Sequence, residues 1–162
     1  MKAADSFAQS YAEARQKFLA AARAAGLSVS GHEHPRRGRD GEPLAMDVAR
    51  LGPPQAHSLL VLSSACHGVE GFCGSGAQVS LLDDAEFRAA AERTGAAVLF
   101  VHGLNPYGFS WWRRTTHENV DLNRNFHDFS KPLPVNATYD EIAHWLVPDQ
   151  WPPSAEANAA MR

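Results

Sequence analysis

Residues 58–101 read SLLVLSSACHGVEGFCGSGAQVSLLDDAEFRAAAERTGAAVLFV. The run SLLVLSS at 58–64 is short, apolar and rich in residues that favour β-strands, which is typical of a strand buried on both faces of a parallel sheet. A glycine-rich loop follows, then apolar residues at helical spacing up to Gly95, and then a second apolar strand at 96–101. Strand, loop, helix and strand in this order predict a βαβ unit.

Residues that could bind a ligand or take part in catalysis follow these two strands. His67 follows the end of the first strand by three residues, and His102 comes directly after the second. In sheets of this kind ligands bind outside the C-terminal ends of the strands. We therefore predict an α/β protein with a mixed, largely parallel sheet flanked by helices, and a site at that edge.

Composition narrows the class of protein. The chain has 162 residues, a formal charge of −3 and 44% hydrophobic residues, which fits one globular domain over residues 1–162. This charge provides no basic stripe, so neither nucleic acid nor an anionic membrane surface is expected as a partner. The longest apolar runs are far shorter than the roughly 20 residues of a membrane span, and the N-terminus lacks the apolar region of a secretory signal. We expect a cytoplasmic protein.

The segments outside the βαβ unit carry weaker signals. Apolar residues at helical spacing predict a helix over 5–25, capped by Asp5 or Ser6 and ended by Gly26. Residues 31–54 mix glycine, proline and charge, which predicts an exposed hairpin or loop with a short strand at 44–49.

The C-terminal segment has a helix start without a stop. Ser154 is an N-cap candidate, and the helix-forming residues after it continue to Arg162. We expect this element, and the domain with it, to be incomplete at the C-terminus.

His67 and Glu70 form the first candidate site. A neutral imidazole and a carboxylate three residues apart at the mouth of a buried strand can chelate zinc, which binds His nitrogen and Asp or Glu oxygen. The surrounding glycines let the backbone turn and leave room above an ion. His-x-x-Glu also occurs often by chance, so this spacing alone is weak evidence for a metal site.

Two further clusters follow along the chain. Asn105 begins an Asn-Pro-x-Gly turn that delivers paired tryptophans and the pair Arg113 and Arg114. Arginines can bind a carboxylate or stabilise an oxyanion, and a surface pair stacked on tryptophan is the alternative. Asn123 and Arg124 suit recognition of a terminal carboxylate, and a capped turn is the alternative.

The order of the motifs resembles a known family. HGVEG after a strand, NPYG followed by WWRR, and then DLNRNF are similar to the first half of the catalytic domain in the zinc metallocarboxypeptidase superfamily, in a bacterial carboxypeptidase-like branch of uncharacterised specificity. The resemblance covers residues 44–151. Amidohydrolases that remove acyl groups from amino acids, such as aspartoacylase and succinylglutamate desuccinylase, share this outline.

The resemblance implies a role for each matching residue. His67 and Glu70 match two zinc ligands, and Asn123 and Arg124 match the pair that holds the carboxylate of the substrate. Arg113 matches the residue that polarises the scissile carbonyl, a role for which Arg114 competes. The implied mechanism is attack of a zinc-bound water on an amide carbonyl.

The family pattern also requires a third zinc ligand, a histidine, and a general-base glutamate on later segments. Neither motif occurs before Arg162. His127 and His144 are the histidines after the Asn-Arg pair, and neither has the strand-end context of the family ligand. His102 remains open as a partner behind the metal ligands or as part of the pocket wall. A complementing chain or a homo-oligomer is one way in which the site could be completed, and a C-terminal part of the domain is another.

The sequence thus predicts a zinc-dependent hydrolase that cleaves an amide bond in a carboxylate-bearing substrate, a small peptide or an acyl-amino acid. One alternative is an N-acyl amino acid deacylase of the aspartoacylase type. Another is a non-catalytic truncated remnant.

Overall fold

The computed structural model describes residues 3–160. The chain divides into two compact units between Phe126 and His127. In the first unit the strands are Val29–Arg37 (β1), Pro43–Leu51 (β2), Ser58–Ser63 (β3) and Ala96–His102 (β4). Its helices are Tyr11–Ala24 (α1), Glu70–Asp83 (α2), Ala85–Thr94 (α3) and Pro106–Trp111 (α4), with short 3-10 helices at Ala3–Ser6 and Leu122–Arg124. The expectation of a single domain over residues 1–162 stays a prediction.

The four strands form one mixed sheet in the order β1-β2-β4-β3. β1 pairs antiparallel with β2, and β2 pairs antiparallel with β4, with Asp47 opposite His102. β3 pairs parallel with β4, with Ser58 opposite Ala96. The predicted α/β class is confirmed. β3 and β4 form the predicted parallel pair, with helices between them along the chain. The other two strand pairings in the sheet are antiparallel.

The N-terminal hairpin is larger than its sequence predicts. β1 and β2 have nine residues each, and β2 lies inside the sheet between β1 and β4. Asp47 in β2 is 1% exposed. Its carboxylate accepts two hydrogen bonds from the Arg15 guanidinium, at 2.7 and 3.0 Å, and this pairing allows a charge in an interior strand.

β3 differs from its prediction as a strand buried on both faces. It lies at the edge of the sheet, and Leu59, Leu60 and Val61 are 57%, 48% and 53% exposed. Within residues 3–160 no strand pairs with its outer edge. Apolar composition identified the strand but not its position in the sheet.

The first helix begins later than predicted. Ser10 is its N-cap and accepts a hydrogen bond from the N–H of Glu13, whereas Asp5 and Ser6 lie in the preceding 3-10 helix. Gly26, just past the helix, has φ +75°, the left-handed conformation expected of it.

The predicted crossover helix is two helices. Asp84 separates α2 from α3 with an extended backbone, and its side chain accepts hydrogen bonds from the N–H groups of Glu86 and Phe87. A capping side chain in mid-segment therefore interrupts the helical pattern. Gly95 ends α3 at φ +65°, as predicted.

Two apolar clusters hold the first unit together. One joins α1, α2 and the sheet around Phe18, Val79 and Phe100. The other includes Tyr11 and Phe109 and fixes α4 against α1.

The second unit contains helices Ala137–Leu146 (α5) and Ala155–Ala160 (α6). Asn136 caps α5, which the sequence analysis does not predict. The hydroxyl of Ser154 accepts from the N–H of Ala157 at 3.1 Å, as expected of an N-cap. No helix in the described part of the chain is both long and apolar enough to cross a membrane.

Candidate functional site

The loops that follow β3 and β4 are joined by backbone hydrogen bonds. The N–H of Ser64 donates to Val101 O at 3.0 Å. Beyond the strands, the N–H of Leu104 donates to Ser64 O and that of Asn105 to Ala65 O, each at 2.9 Å. The two chemically rich segments therefore lie side by side at the C-terminal ends of a parallel pair.

Asn105 shapes the second segment. Its Oδ1 accepts from the N–H of Gly108 at 2.9 Å and caps α4, while its Nδ2 donates to Cys66 O at 3.4 Å. Trp112 then ends α4 in the left-handed region, at φ +57°. Arg113 and Arg114 follow this turn, outside the helix.

Gly68 allows the HGVE loop to contact that turn. A Cβ at Gly68 would lie 2.7 Å from both Trp112 C and Arg113 N, closer than side-chain atoms can approach backbone. The first and second motifs thus meet backbone against backbone, which only glycine permits at this position.

Asp121 joins the third motif to the other two. Its Oδ1 lies 3.0 Å from His67 Nε2, and its Oδ2 accepts from Arg114 Nε at 2.7 Å. The hydrogen bond from Arg114 is the main reason that the pKa of Asp121 falls to about 2; those from His67 and the N–H of Asn123 lower it further. The carboxylate is therefore ionised at neutral pH and acts only as an acceptor.

The charge on Asp121 fixes the tautomer of His67. An acceptor-only carboxylate requires the proton on Nε2, so Nδ1 carries the lone pair when the ring is neutral. Histidine ligands of metals are commonly held in this way by a carboxylate behind them. The His67 side chain is 13% exposed, so it is not completely closed off from solvent.

Glu70 is the first residue of α2, and its side chain is exposed. Among the described residues no hydrogen bond or ion pair engages its carboxylate. The pKa of Cys66 is raised first by burial, then by the charge on Asp121 and, more weakly, by that on Glu70. Both carboxylates therefore act on the residue that precedes His67.

The two arginines make different contacts. Arg113 Nη2 donates to Thr115 Oγ1 at 3.3 Å and to Asn119 Oδ1 at 3.1 Å, so the side chain is held within its own turn. Arg114 instead bonds to Asp121 and through it to His67. Both side chains are more than a third exposed.

Asn123 and Arg124 lie in the 3-10 helix directly after Asp121. The N–H of Asn123 donates to Asp121 Oδ1 at 3.0 Å, and Arg124 Nη1 donates to Asn123 O at 3.3 Å. Both side chains are exposed. Their amide and guanidinium groups are thus available to an anion next to the Asp121 network.

The donor set fits two positions of a zinc site. His67 offers Nδ1 and Glu70 an unpartnered carboxylate, which are ordinary zinc donors. In residues 3–160, no three His, Cys, Asp or Glu side chains come together as a metal site. A third donor from this part of the chain is therefore not in place.

The other candidate histidines have their own contacts. His127 packs on Phe129 and His144 on Trp145, with ring centroids 4.3 and 5.0 Å apart, both within the second unit. His102 is fully buried, and its Nε2 lies 2.9 Å from Ser75 Oγ. Burial lowers the pKa of His102 to about 4, so this ring is a neutral core group.

Sequence reasoning missed the part played by Asp121. The residue stands in the DLNRNF cluster, but nothing in its spacing points to His67, 54 positions away. The only sign of this role in the sequence is the presence of a carboxylate shortly before the Asn-Arg pair.

The comparison with protein families gives a match over residues 7–162 to the family described as "Protein of unknown function (DUF2817)". No curated protein matches the chain.

Solved structures resemble the chain weakly. Glutaminyl cyclase from Porphyromonas gingivalis is 16% identical, with a TM-score of 0.41 over 73% of this chain and 48% of that one. Glutaminyl cyclase from Fimbriiglobus ruber is 14% identical, with 0.36 over 54% and 35%. Esterase LipW from Mycobacterium marinum is 19% identical, with 0.30 over 55% and 25%. The chain spans half or less of the length of each, and likenesses this weak carry no argument about function.

Proposed function

The chain belongs to the DUF2817 family, and we propose that it carries the metal-binding and substrate-binding part of a zinc-dependent hydrolase that cleaves an amide bond in a carboxylate-bearing substrate. The substrates that fit are small peptides and N-acyl amino acids.

One observation carries the proposal: the 3.0 Å contact between His67 Nε2 and Asp121 Oδ1. A histidine oriented by an ionised carboxylate, with its other nitrogen unprotonated, is prepared to bind a metal ion. The unpartnered carboxylate of Glu70 three residues later supplies a second donor. The resemblance to zinc metallocarboxypeptidases assigns the same two residues.

Arg113 and Arg114 have separate proposed roles. Arg113, held by Thr115 and Asn119, is suited to polarise the carbonyl and to stabilise the oxyanion that develops on it. Arg114 keeps Asp121 ionised and so maintains the tautomer of His67. It remains the competing candidate for the oxyanion role, because it is about half exposed.

Asn123 and Arg124 hold the carboxylate of the substrate. An exposed guanidinium can bind a carboxylate through two parallel hydrogen bonds, and the neighbouring amide adds a donor. This pair begins two residues after Asp121, whose carboxylate contacts His67, so it orients the substrate close to His67.

Zinc, when bound by His67 and Glu70, would lower the pKa of water and polarise the amide carbonyl. The further donor and the general base that the reaction requires are assigned to no residue in 3–160. A complementing chain or a second copy of this chain is one proposed source of them.

The proposal is tested by hydrolysis in the full chain supplied with Zn²⁺, in which a second copy of the chain can supply the further donor and the base. Free amino acid is measured after incubation with an N-acyl amino acid and, separately, with a dipeptide. We expect His67→Ala to abolish release. His57→Ala is the matched control, because His57 is exposed and outside the site, and it keeps full activity. Unchanged hydrolysis in His67→Ala contradicts the proposal.

A further inference from the structure

An apolar groove lies beside the candidate site in the first unit. It has a volume of about 420 Å³ and is lined by Phe7, Ala8, Gln9, Val69, Phe72 and Trp112. Phe7, Val69 and Trp112 are 43%, 57% and 50% exposed, which leaves three large apolar side chains open to solvent around one concavity. Exposed apolar surface collected in this way is typical of a binding site.

Contacts outside the groove hold its walls in place. Phe7 packs so closely on α2 that a Cβ at Gly76 would lie 2.5 Å from its ring. Phe72 packs edge-on against the buried ring of Phe109, with centroids 4.8 Å apart. The groove is therefore formed before any ligand enters.

The Trp112 wall is held from the β1–β2 turn. The Arg39 guanidinium lies 3.9 Å from the centroid of the indole. The backbone N–H of Arg39 donates to Ser110 Oγ at 2.9 Å, which ties the turn to α4. Arg39 does not line the groove, so it acts as a positioning residue for Trp112.

The position of the groove indicates its occupant. Val69 stands between His67 and Glu70 in the HGVE loop, and Trp112 immediately precedes Arg113. Two of the residues that line the groove therefore lie within one or two positions along the chain of the proposed metal donors and of Arg113, whose guanidinium can bind anions. An apolar group joined to an amide and a carboxylate matches this arrangement of apolar wall and positive charge.

We propose that this groove binds an aryl or branched aliphatic group on the carboxylate-bearing ligand, next to the amide bond. The part of the proposal that concerns a cleaved bond rests on the proposed function; the binding of the apolar group does not. The groove thereby favours N-aroyl or bulky N-acyl amino acids over N-acetyl ones.

Two ligands test the groove, N-benzoylglycine and N-acetylglycine, which share the amide and the carboxylate and differ in the apolar group. Their dissociation constants are measured by NMR titration of the metal-free full chain from the backbone amide signals, and the indole N–H of Trp112 reports contact with the groove. Burying a ring rather than a methyl group predicts a preference of about tenfold for N-benzoylglycine. The Trp112 signal is expected to shift with N-benzoylglycine alone.

Phe7→Ser is expected to remove the preference, and Phe7→Leu to keep most of it, since leucine preserves an apolar wall. Leu60→Ser is the matched control, because Leu60 is similarly exposed but lies on β3, and it keeps the preference. Equal affinity for the two ligands, or a preference that survives Phe7→Ser, overturns the proposal.

Two other outcomes separate the proposals. Self-association that Phe7→Ser abolishes, without any preference between the ligands, overturns the groove as a ligand site and makes it a contact between copies. A tenfold preference in a chain that fails the hydrolysis test supports the groove and leaves only the proposed reaction refuted.

Discussion

His67 Nε2 lies 3.0 Å from Oδ1 of Asp121, a residue 54 positions later in the chain. The other oxygen of the same carboxylate accepts from Arg114. One side chain thus joins the loop after β3, the turn after α4 and the Asn-Arg segment. The arrangement of the site therefore depends on this carboxylate.

Asp121→Asn tests the orientation of His67. The amide has almost the same shape but no charge, so it no longer requires the proton on Nε2 of the ring. We expect the affinity for Zn²⁺ to fall about 10- to 100-fold, measured by calorimetric titration of the full chain.

Asp128→Asn is the matched control, because Asp128 is also hydrogen-bonded, to Ser130, but lies in the second unit. Its affinity for zinc is expected to equal that of the wild type. Equal losses in the two variants would mean that Asp121 has no special part in metal binding.

Gly68→Ala tests the contact between the first two motifs. The added Cβ would lie 2.7 Å from the backbone of Trp112 and Arg113, so the loop must move. We expect a loss of about 1–3 kcal/mol in the free energy of unfolding, measured by urea denaturation, together with weaker zinc binding.

Gly74→Ala provides the comparison, since the nearest atom to its Cβ would be Ser64 Cβ, at 3.0 Å, with backbone no closer than 3.4 Å, and α2 gains from alanine. A smaller effect than that of Gly68→Ala is expected. Two equal effects would show that the close approach at Gly68 is unimportant.

The buried His102 predicts a pH dependence of stability. Its folded pKa of about 4 lies below the ordinary 6.5, so the unfolded chain binds the extra proton over this range. Stability from this residue is full above pH 6.5 and falls as the pH drops toward 4, by about 2–3 kcal/mol.

His102→Gln removes the titration and retains a polar group that can bond to Ser75. The free energy of unfolding, measured between pH 4 and pH 7, is expected to vary less in this variant than in the wild type. His57→Gln, at an exposed histidine, should keep the steep profile. A wild-type slope in His102→Gln would refute the assignment.

Leu60→Lys tests the exposed edge of the sheet. Leu60 on β3 is 48% exposed, and an apolar edge strand promotes pairing between chains. We expect the lysine to reduce concentration-dependent self-association in sedimentation velocity experiments. Val135→Lys adds the same charge at an exposed residue outside any strand and should change little. An equal reduction in both would show that the effect is not specific to the edge strand.

The sequence predicts much of the fold because local signals carry it. Apolar runs identify β3 and β4, and Gly26 and Gly95 mark the ends of helices. β2 was underestimated because Asp47 makes an interior strand look half solvated; its partner Arg15 is 32 positions away. The edge position of β3 depends on sheet order, which an apolar run does not encode.

Local signals in the sequence likewise predict part of the candidate site, and contacts between distant residues determine the rest. His67 and Glu70 were predicted from their spacing and from the resemblance to a family, and their roles stay predictions. The bridging carboxylate of Asp121 could not be predicted from spacing, because it depends on how three loops pack. The separate contacts of Arg113 and Arg114 likewise follow from the geometry of the turn.

We propose that His67 binds zinc through Nδ1. Long-range ¹H–¹⁵N NMR of the histidine rings tests this in the full chain, labelled with ¹⁵N and titrated with Zn²⁺. We expect His67 to carry its proton on Nε2 without metal and its Nδ1 signal to shift on addition of one equivalent of zinc. A His67 ring that is protonated on Nδ1, or that does not respond to zinc while other histidines do, would contradict the account.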